Sequence, residues 1–338
     1  MLETIWFILW MLLWAVYFAL DGFDLGLGAL MPFIAKEEDD RRVIYHAAGP
    51  FWDGNEVWLI AAGGVTFAAF PKAYAVMFSA LYTPLLMLLF ALILRAVSFE
   101  FRDKILSYGW RTVWDFVHFI VNLVACILLG CAFGNLFMGI PVDANGVFHG
   151  SLLGLLNLYG LATALFFTCF FILHGALWLV IKSQGQLQIR AIATCNFMWP
   201  LVLLMGLLFI WLTLARTQLL NNYLTHPALF ILPVLAVAGL AGARLFLTAG
   251  KVWLAFASNC IFIICLTFTG VSGMFPGIVI SSIDPNATVT AFNGASTTLT
   301  LQIMLGVVAV MVPIVIAYQA WLYRLFAHPI DPNELEGH

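Results

Sequence analysis

Charge is what this sequence has least of. Asp, Glu, Lys and Arg make up 9% of its 338 residues, against roughly 25% in soluble domains, while 63% of residues are apolar and the mean hydropathy is +1.02. Too few polar side chains remain to cover a water-facing surface, which excludes a soluble enzyme. No basic tract is present to grip nucleic acid. The six cysteines, Cys126, Cys131, Cys169, Cys195, Cys260 and Cys265, all lie in apolar segments, and two pairs are five apart. That spacing suits neither zinc nor covalent haem attachment, so they are expected as packing residues and no metal site is expected. Paired histidines are missing too: His118 and His174 are the only ones in apolar segments. A di-haem four-helix cytochrome would offer histidines from facing helices, so these two are expected to hydrogen-bond a neighbouring helix instead.

Long apolar runs, by contrast, are abundant. Nine are read, at Ile5–Leu30, Ala48–Phe70, Tyr74–Phe99, Val113–Phe137, Leu158–Ile181, Phe197–Thr213, Ala228–Leu247, Val252–Val271 and Leu299–Leu325. About 20 apolar residues cross a bilayer as a helix, and the runs lack the alternation of barrel strands, so an all-α integral membrane protein is expected. The first run is too long, and too acidic near its end, for a cleaved signal, and is expected to stay as an anchor. Lys36, Arg41, Arg42, Arg102, Lys104, Arg111, Lys182, Arg190, Arg244, Lys251 and Arg324 fall at alternate loops or helix ends, with only Lys72 and Arg216 on the other side. Basic residues accumulate on the cytoplasmic side, which puts the N-terminus outside and the C-terminus in the cytoplasm.

The spelling of the chain points to a four-span unit written twice: Phe18-Ala19-Leu20-Asp21-Gly22 is echoed by Phe171-Ile172-Leu173-His174-Gly175, and Arg95 and Arg244 each follow a proline, Pro84 or Pro233, by eleven residues. Trp52 and Trp199 fall at similar positions, all at an offset of about 150 residues. A parallel repeat is therefore expected: residues 1–148 as one four-helix bundle, 149–271 as a second, 272–298 as an outside loop, and 299–338 as a ninth helix with a cytoplasmic tail.

Four acids interrupt the apolar runs: Asp21 and Asp24 in the first, Asp53 and Glu56 in the second. A charged carboxylate in the bilayer costs at least about 2.5–3.5 kcal/mol, so such groups mark a pathway, a partner or a bound proton. Helical rise puts all four, with Arg95, in the cytoplasmic third of the first bundle. They are expected to meet there and pass protons, Asp53 lying furthest inside, with Asp115 at the interface. A structural network neutralised by Arg95 is the bland alternative, and a proton-coupled secondary transporter the competing function.

These segments also resemble a known family, subunit II of the cytochrome bd-type quinol oxidases. The likeness rests on Asp21-Gly22-Phe23-Asp24-Leu25-Gly26, on Trp52-Asp53-Gly54-Asn55-Glu56-Val57-Trp58-Leu59, and on Arg95 with Phe99 and Arg102. It continues through Trp110-Arg111, Trp114-Asp115, Phe133-Gly134-Asn135-Leu136, and the loop from Phe275-Pro276 to Ser281-Ser282, Asn293 and Ser296. The resemblance implies a heterodimeric enzyme of the bacterial cytoplasmic (inner) membrane that oxidises quinol and reduces dioxygen to water. It implies two b-type haems and one d-type haem held by subunit I, with subunit II supporting that partner and lending Asp53, Asp21 and Asp24 to a proton path, Trp52 beside them. Some members hold a structural quinone in subunit II, and some complexes add small single-helix subunits. Members commonly carry Gln or another neutral residue where this chain has Glu56, which implies an added proton site or a partner for Arg95.

Overall fold

The computed structural model describes residues 1–331, and they form a helical membrane protein. In chain order the helices are α1 (Leu2–Ile34), α2 (Glu38–Ala48), α3 (Trp52–Ala69), α4 (Pro71–Ala80), α5 (Tyr82–Phe101), α6 (Tyr108–Met138), α7 (Leu152–Leu155), α8 (Leu158–Lys182), α9 (Gly185–Arg216), α10 (Leu220–Thr225), α11 (Ile231–Thr248), α12 (Val252–Met274) and α13 (Thr298–Leu325). Among the described residues, eight helices are long and apolar enough to cross a membrane. The ninth expected span is α3, where Asp53, Asn55 and Glu56 dilute an otherwise apolar helix.

The sequence reading and the structure part where apolar content and helix geometry part. The second expected span starts later than Ala48: Gly49-Pro50 separates the amphipathic α2 from α3, which begins at Trp52. The third is two helices, α4 and α5, joined at Leu81. Pro84 has no N–H to donate to the carbonyl of Ala80 and its ring would crowd that oxygen, which favours a break here, although α1, α9 and α13 run on through Pro32, Pro200 and Pro313. α9 begins at Gly185, well before Phe197, because its polar first turns are still helical and pack as a cytoplasmic extension.

α8 is buried along most of its length and α13 along almost none. α1 packs against α3, α6, α8 and α12, so α1 and α8 form the central pair. Glycines set how closely they approach: a Cβ on Gly26 would stand 1.8 Å from the carbonyl oxygen of Phe171, and one on Gly175 would stand 2.5 Å from the nitrogen of Leu27. Small residues at such crossings let backbones touch where lipid supplies no hydrophobic drive. Aromatic side chains fill the rest of the seam, with Phe18 edge-on to Phe133 and Phe167, and Phe23 4.6 Å from Trp178. On the outside, β1 (Gly277–Val279) and β2 (Val289–Thr290) pair antiparallel. Ser281 ties that loop to the carbonyl of Val142, and the amide of Ser296 donates to the carbonyl of Ala69.

Candidate functional site

Asp21 and Asp24 lie on α1, Glu56 on α3 and Arg95 on α5, and the packing of these helices brings their side chains together. Arg95 is 1% exposed, and its Nη2 lies 2.8 Å from Asp21 Oδ1 and 2.8 Å from Glu56 Oε2. Asp21 is wholly buried, while Glu56 keeps some exposure. One guanidinium thus faces two carboxylates. A third, Asp24, is one amide away: Asn55 Nδ2 donates to Asp24 Oδ2 at 2.8 Å and to the carbonyl of Leu20 at 3.2 Å. Asn55 in turn accepts from the hydroxyl of Tyr323 on α13 at 3.1 Å. Nearby, Gln319 donates to the carbonyl of Gly54 and accepts from Trp58 Nε1. These bonds pin the otherwise loosely packed α13 to the acid-bearing turn of α3.

Asp53 is the exception. The sequence places it furthest inside; the structure puts it on the outer surface of the first turn of α3, where its Oδ1 accepts from the Gly54 amide at 2.6 Å. The buried face of α3 runs through Asn55, Trp58, Ala62, Thr66 and Ala69. A residue two positions before Asn55 is about 200° round the helix from that face, so Asp53 cannot join the cluster. Glu56 sits at the edge of the same face and reaches Arg95. The expected meeting of all five groups is therefore corrected to a triad of Asp21, Glu56 and Arg95, with Asp24 linked through Asn55. Trp52, half-buried, stacks on Phe99 with centroids 5.4 Å apart.

The sequence places Arg102 among the charges at cytoplasmic loops or helix ends, and the structure buries it fully. Its guanidinium meets Asp115 at 2.6 Å, Glu38 at 3.0 Å and Asp103 at 3.2 Å, and stands 5.0 Å from the ring centroid of Tyr45. Arg111 bridges Glu38 and Asp103, and Arg41 approaches Asp115. Burial, then the charge of Asp115, pushes the Tyr45 phenol above its ordinary range and keeps it protonated. Asp115, expected at the interface, is mostly buried and paired with Arg102 and Arg41. The network straps α2 beneath the acid cluster, and Arg190 Nη2, donating to both carboxylate oxygens of Asp40, straps it to α9. The one sequence signal for it was the density of opposite charges between Arg102 and Asp115.

Both membrane histidines are spent on helix contacts. His174 Nε2 donates to the carbonyl of Ala19 at 2.8 Å, and its Nδ1 accepts from Asn259 at 3.0 Å. His118 Nδ1 pairs with Ser98 Oγ at 2.7 Å, its ring packed against Tyr45 and Phe99.

Comparison with known proteins gives a consistent answer. Residues 2–326 match the family model described as cytochrome bd terminal oxidase subunit II. The chain is 34% identical to a probable cytochrome oxidase subunit 2 of Haemophilus influenzae, over 98% of this chain and 97% of that protein. It is 32% identical to the cytochrome bd-I ubiquinol oxidase subunit 2 of Escherichia coli K12 (99% and 97%) and to the cytochrome bd ubiquinol oxidase subunit 2 of Bacillus subtilis (98% and 98%). The fold superposes on a chain of the bd oxidase of Geobacillus thermodenitrificans with a TM-score of 0.77 at 18% identity, covering 96% of this chain and 98% of that one.

Proposed function

As a member of the cytochrome bd terminal oxidase subunit II family, this chain is a multi-pass subunit of a respiratory oxidase in the bacterial cytoplasmic membrane, and we propose that its own part is to carry protons inward from the cytoplasmic surface towards a haem-bearing subunit I. The secondary-transporter alternative falls with that membership. The observation that carries the proposal is the buried triad of Asp21, Glu56 and Arg95 with Asp24 beside it. Three carboxylates around one guanidinium cannot all be charged without leaving two uncompensated charges in the membrane, so the cluster is built to hold protons. Asp53, exposed on the first turn of α3, stands at the surface as the acceptor from water or from a residue of the partner, and Glu56, partly exposed, leads inward.

The residues present do not fit haem ligation in this chain. Both nitrogens of His174 are committed, and His118 is bound to Ser98 within an aromatic cage, which supports assigning the two b haems and the d haem to subunit I. An open apolar pocket supports the reading that a quinone binds to this chain. An apolar cavity of about 400 Å³ lies among α1, α3, α5 and α6, lined by Leu88, Leu92, Leu129 and Phe133. Trp14, whose buried Nε1 has no partner among the described residues, also lines it and could donate to one carbonyl. We also take residues 1–148 and 149–271 as structural repeats, because Pro84 and Pro233 each stand third in their helices, α5 and α11.

The test is Asp53→Asn in the assembled complex. Haem content is expected to stay near normal while quinol-driven oxygen consumption falls by about a hundredfold, the low end of what positioned proton-transfer groups contribute. Unchanged turnover with normal assembly would remove the proton path.

A further inference from the structure

We propose that Lys182 is a positioning residue of the acid site: it latches the segment that follows α13 and thereby holds Tyr323 on Asn55, the amide that faces Asp24. α13 needs such a hold. Of its 28 residues only Leu301, near the outer end, and Gln319, near the inner end, are buried. Its apolar side chains meet lipid as readily as protein, so packing alone does not fix where the inner end stands. Polar contacts do, and they gather at that end.

Lys182 ends α8, the span buried along most of its length, and is itself buried. Its Nζ donates to the carbonyl of Phe326, the residue that caps α13, and to that of His328 at 3.1 Å. The backbone closes the contact from the other direction, the amide of Ile330 donating to the Lys182 carbonyl at 2.8 Å. The last carbonyls of a helix have no partner within it and carry the negative end of its dipole, so an ammonium fixed on a neighbouring helix suits them. Two aromatic faces complete the seat: Nζ stands 5.7 Å from the ring centroid of Phe51 and 5.5 Å from that of Trp178. The same rings flank Tyr323, with centroids 4.6 Å and 5.8 Å away. Latch and tyrosine share one aromatic box, and less than one helical turn separates Phe326 from Tyr323.

Tyr323 sets the direction of an amide. Its hydroxyl donates to Asn55 Oδ1 at 3.1 Å, which leaves Asn55 Nδ2 aimed at Asp24. Without the tyrosine the amide is free to turn its oxygen on the carboxylate instead. The inference rests on the proton-path reading for what this positioning serves, but not for the latch itself. The experiment is Lys182→Met in the assembled complex, read by hydrogen exchange and by turnover per haem. Exchange of the backbone over 326–330 is expected to quicken by about tenfold or more, as loss of a bond to a charged group allows, with α12 as the unchanged reference. Turnover is expected to fall by about tenfold at unchanged KM for quinol and dioxygen, within what a misplaced group costs. Tyr323→Phe is expected to match that loss, and the double variant to be no slower than either, since both act through one hydrogen bond. Additive losses overturn the route through Tyr323. Exchange that does not quicken overturns the latch, whatever turnover does. Quicker exchange with full turnover overturns the positioning role if Asp24→Asn slows the same complex; if Asp24→Asn is harmless too, the proton path is overturned and the latch upheld. Should Lys182→Met not assemble, Ile330→Pro opens the latch from the other side by removing the amide that bonds the Lys182 carbonyl, and is read in the same way.

Discussion

The two halves of the chain hold different buried polar groups. In the first, Arg95 is buried between Asp21 and Glu56. In the second, which we propose repeats the first, His174 is held between Ala19 and Asn259, and Arg244 is half-buried and bonded to Asn196. Trp199 Nε1 donates to the carbonyl of Leu240. The second half also has buried Lys182, bonded to the carbonyls of Phe326 and His328, and Arg190, paired with Asp40 of α2, but no buried acid among the described residues. On the proton-path proposal, the acids of the first half are kept for proton handling and not for packing.

The sharpest break of that comparison is Arg95→Leu against Arg244→Leu. Removing Arg95 strands two carboxylates in the membrane and is expected to cost about 3–5 kcal/mol, read as lost yield and thermal stability of the complex. Arg244 gives up a bond to a neutral amide near the surface, for a loss below about 1 kcal/mol. Equal losses would mean that both arginines are structural and that the halves do not differ as described.

A smaller effect tests what the halves share. Gly26→Ala would drive a Cβ into the Phe171 carbonyl at the α1–α8 crossing, and overpacking of this kind costs about 1–3 kcal/mol. Gly63 on α3 has nothing within 4 Å of the same added atom, so Gly63→Ala is expected to stabilise by about 0.5–1 kcal/mol through helix propensity alone. Thermal unfolding of the two variants side by side separates a seam from a tolerated glycine. A neutral Gly26→Ala would show that the halves are not held at that crossing.

Much of this was legible because bilayer thickness imposes one length on every span, so nine apolar runs could be placed and matched to helices. Less legible were the points where backbone chemistry acts against composition. The break at Leu81 is favoured by the missing N–H of Pro84, and the early start of α9 depends on helix that is polar because it leaves the membrane. At the site, the pairing of Arg95 with Asp21 and Glu56 follows from depth and charge alone. The outward turn of Asp53 does not. It depends on which face of α3 is buried, and Asn55, Trp58, Ala62 and Thr66 define that face only once the neighbouring helices are in place. Tyr323 and Gln319 were missed for the same reason: nothing in an apolar final helix says that two polar residues will close over a turn 265 residues earlier.

The finest distinction lies inside the triad. Asp21 and Glu56 each stand 2.8 Å from the same Arg95 Nη2, yet Asp21 is wholly buried and Glu56 is 21% exposed. Glu56→Gln keeps the shape of the side chain and removes one of two competing negative charges, leaving Asp21 and Arg95 as a one-to-one pair. Its cost is therefore expected to stay below about 1 kcal/mol, the usual worth of a partly solvated ion pair. Asp21→Asn instead takes away the deepest counter-charge of a buried guanidinium and should cost more, about 2–3 kcal/mol, because Glu56 must then serve alone from the solvent edge. Thermal unfolding of the two complexes gives the order directly. If Glu56→Gln proved the more damaging, the main partner of Arg95 would be the acid at the solvent edge, and the cluster would have to be redrawn around Glu56.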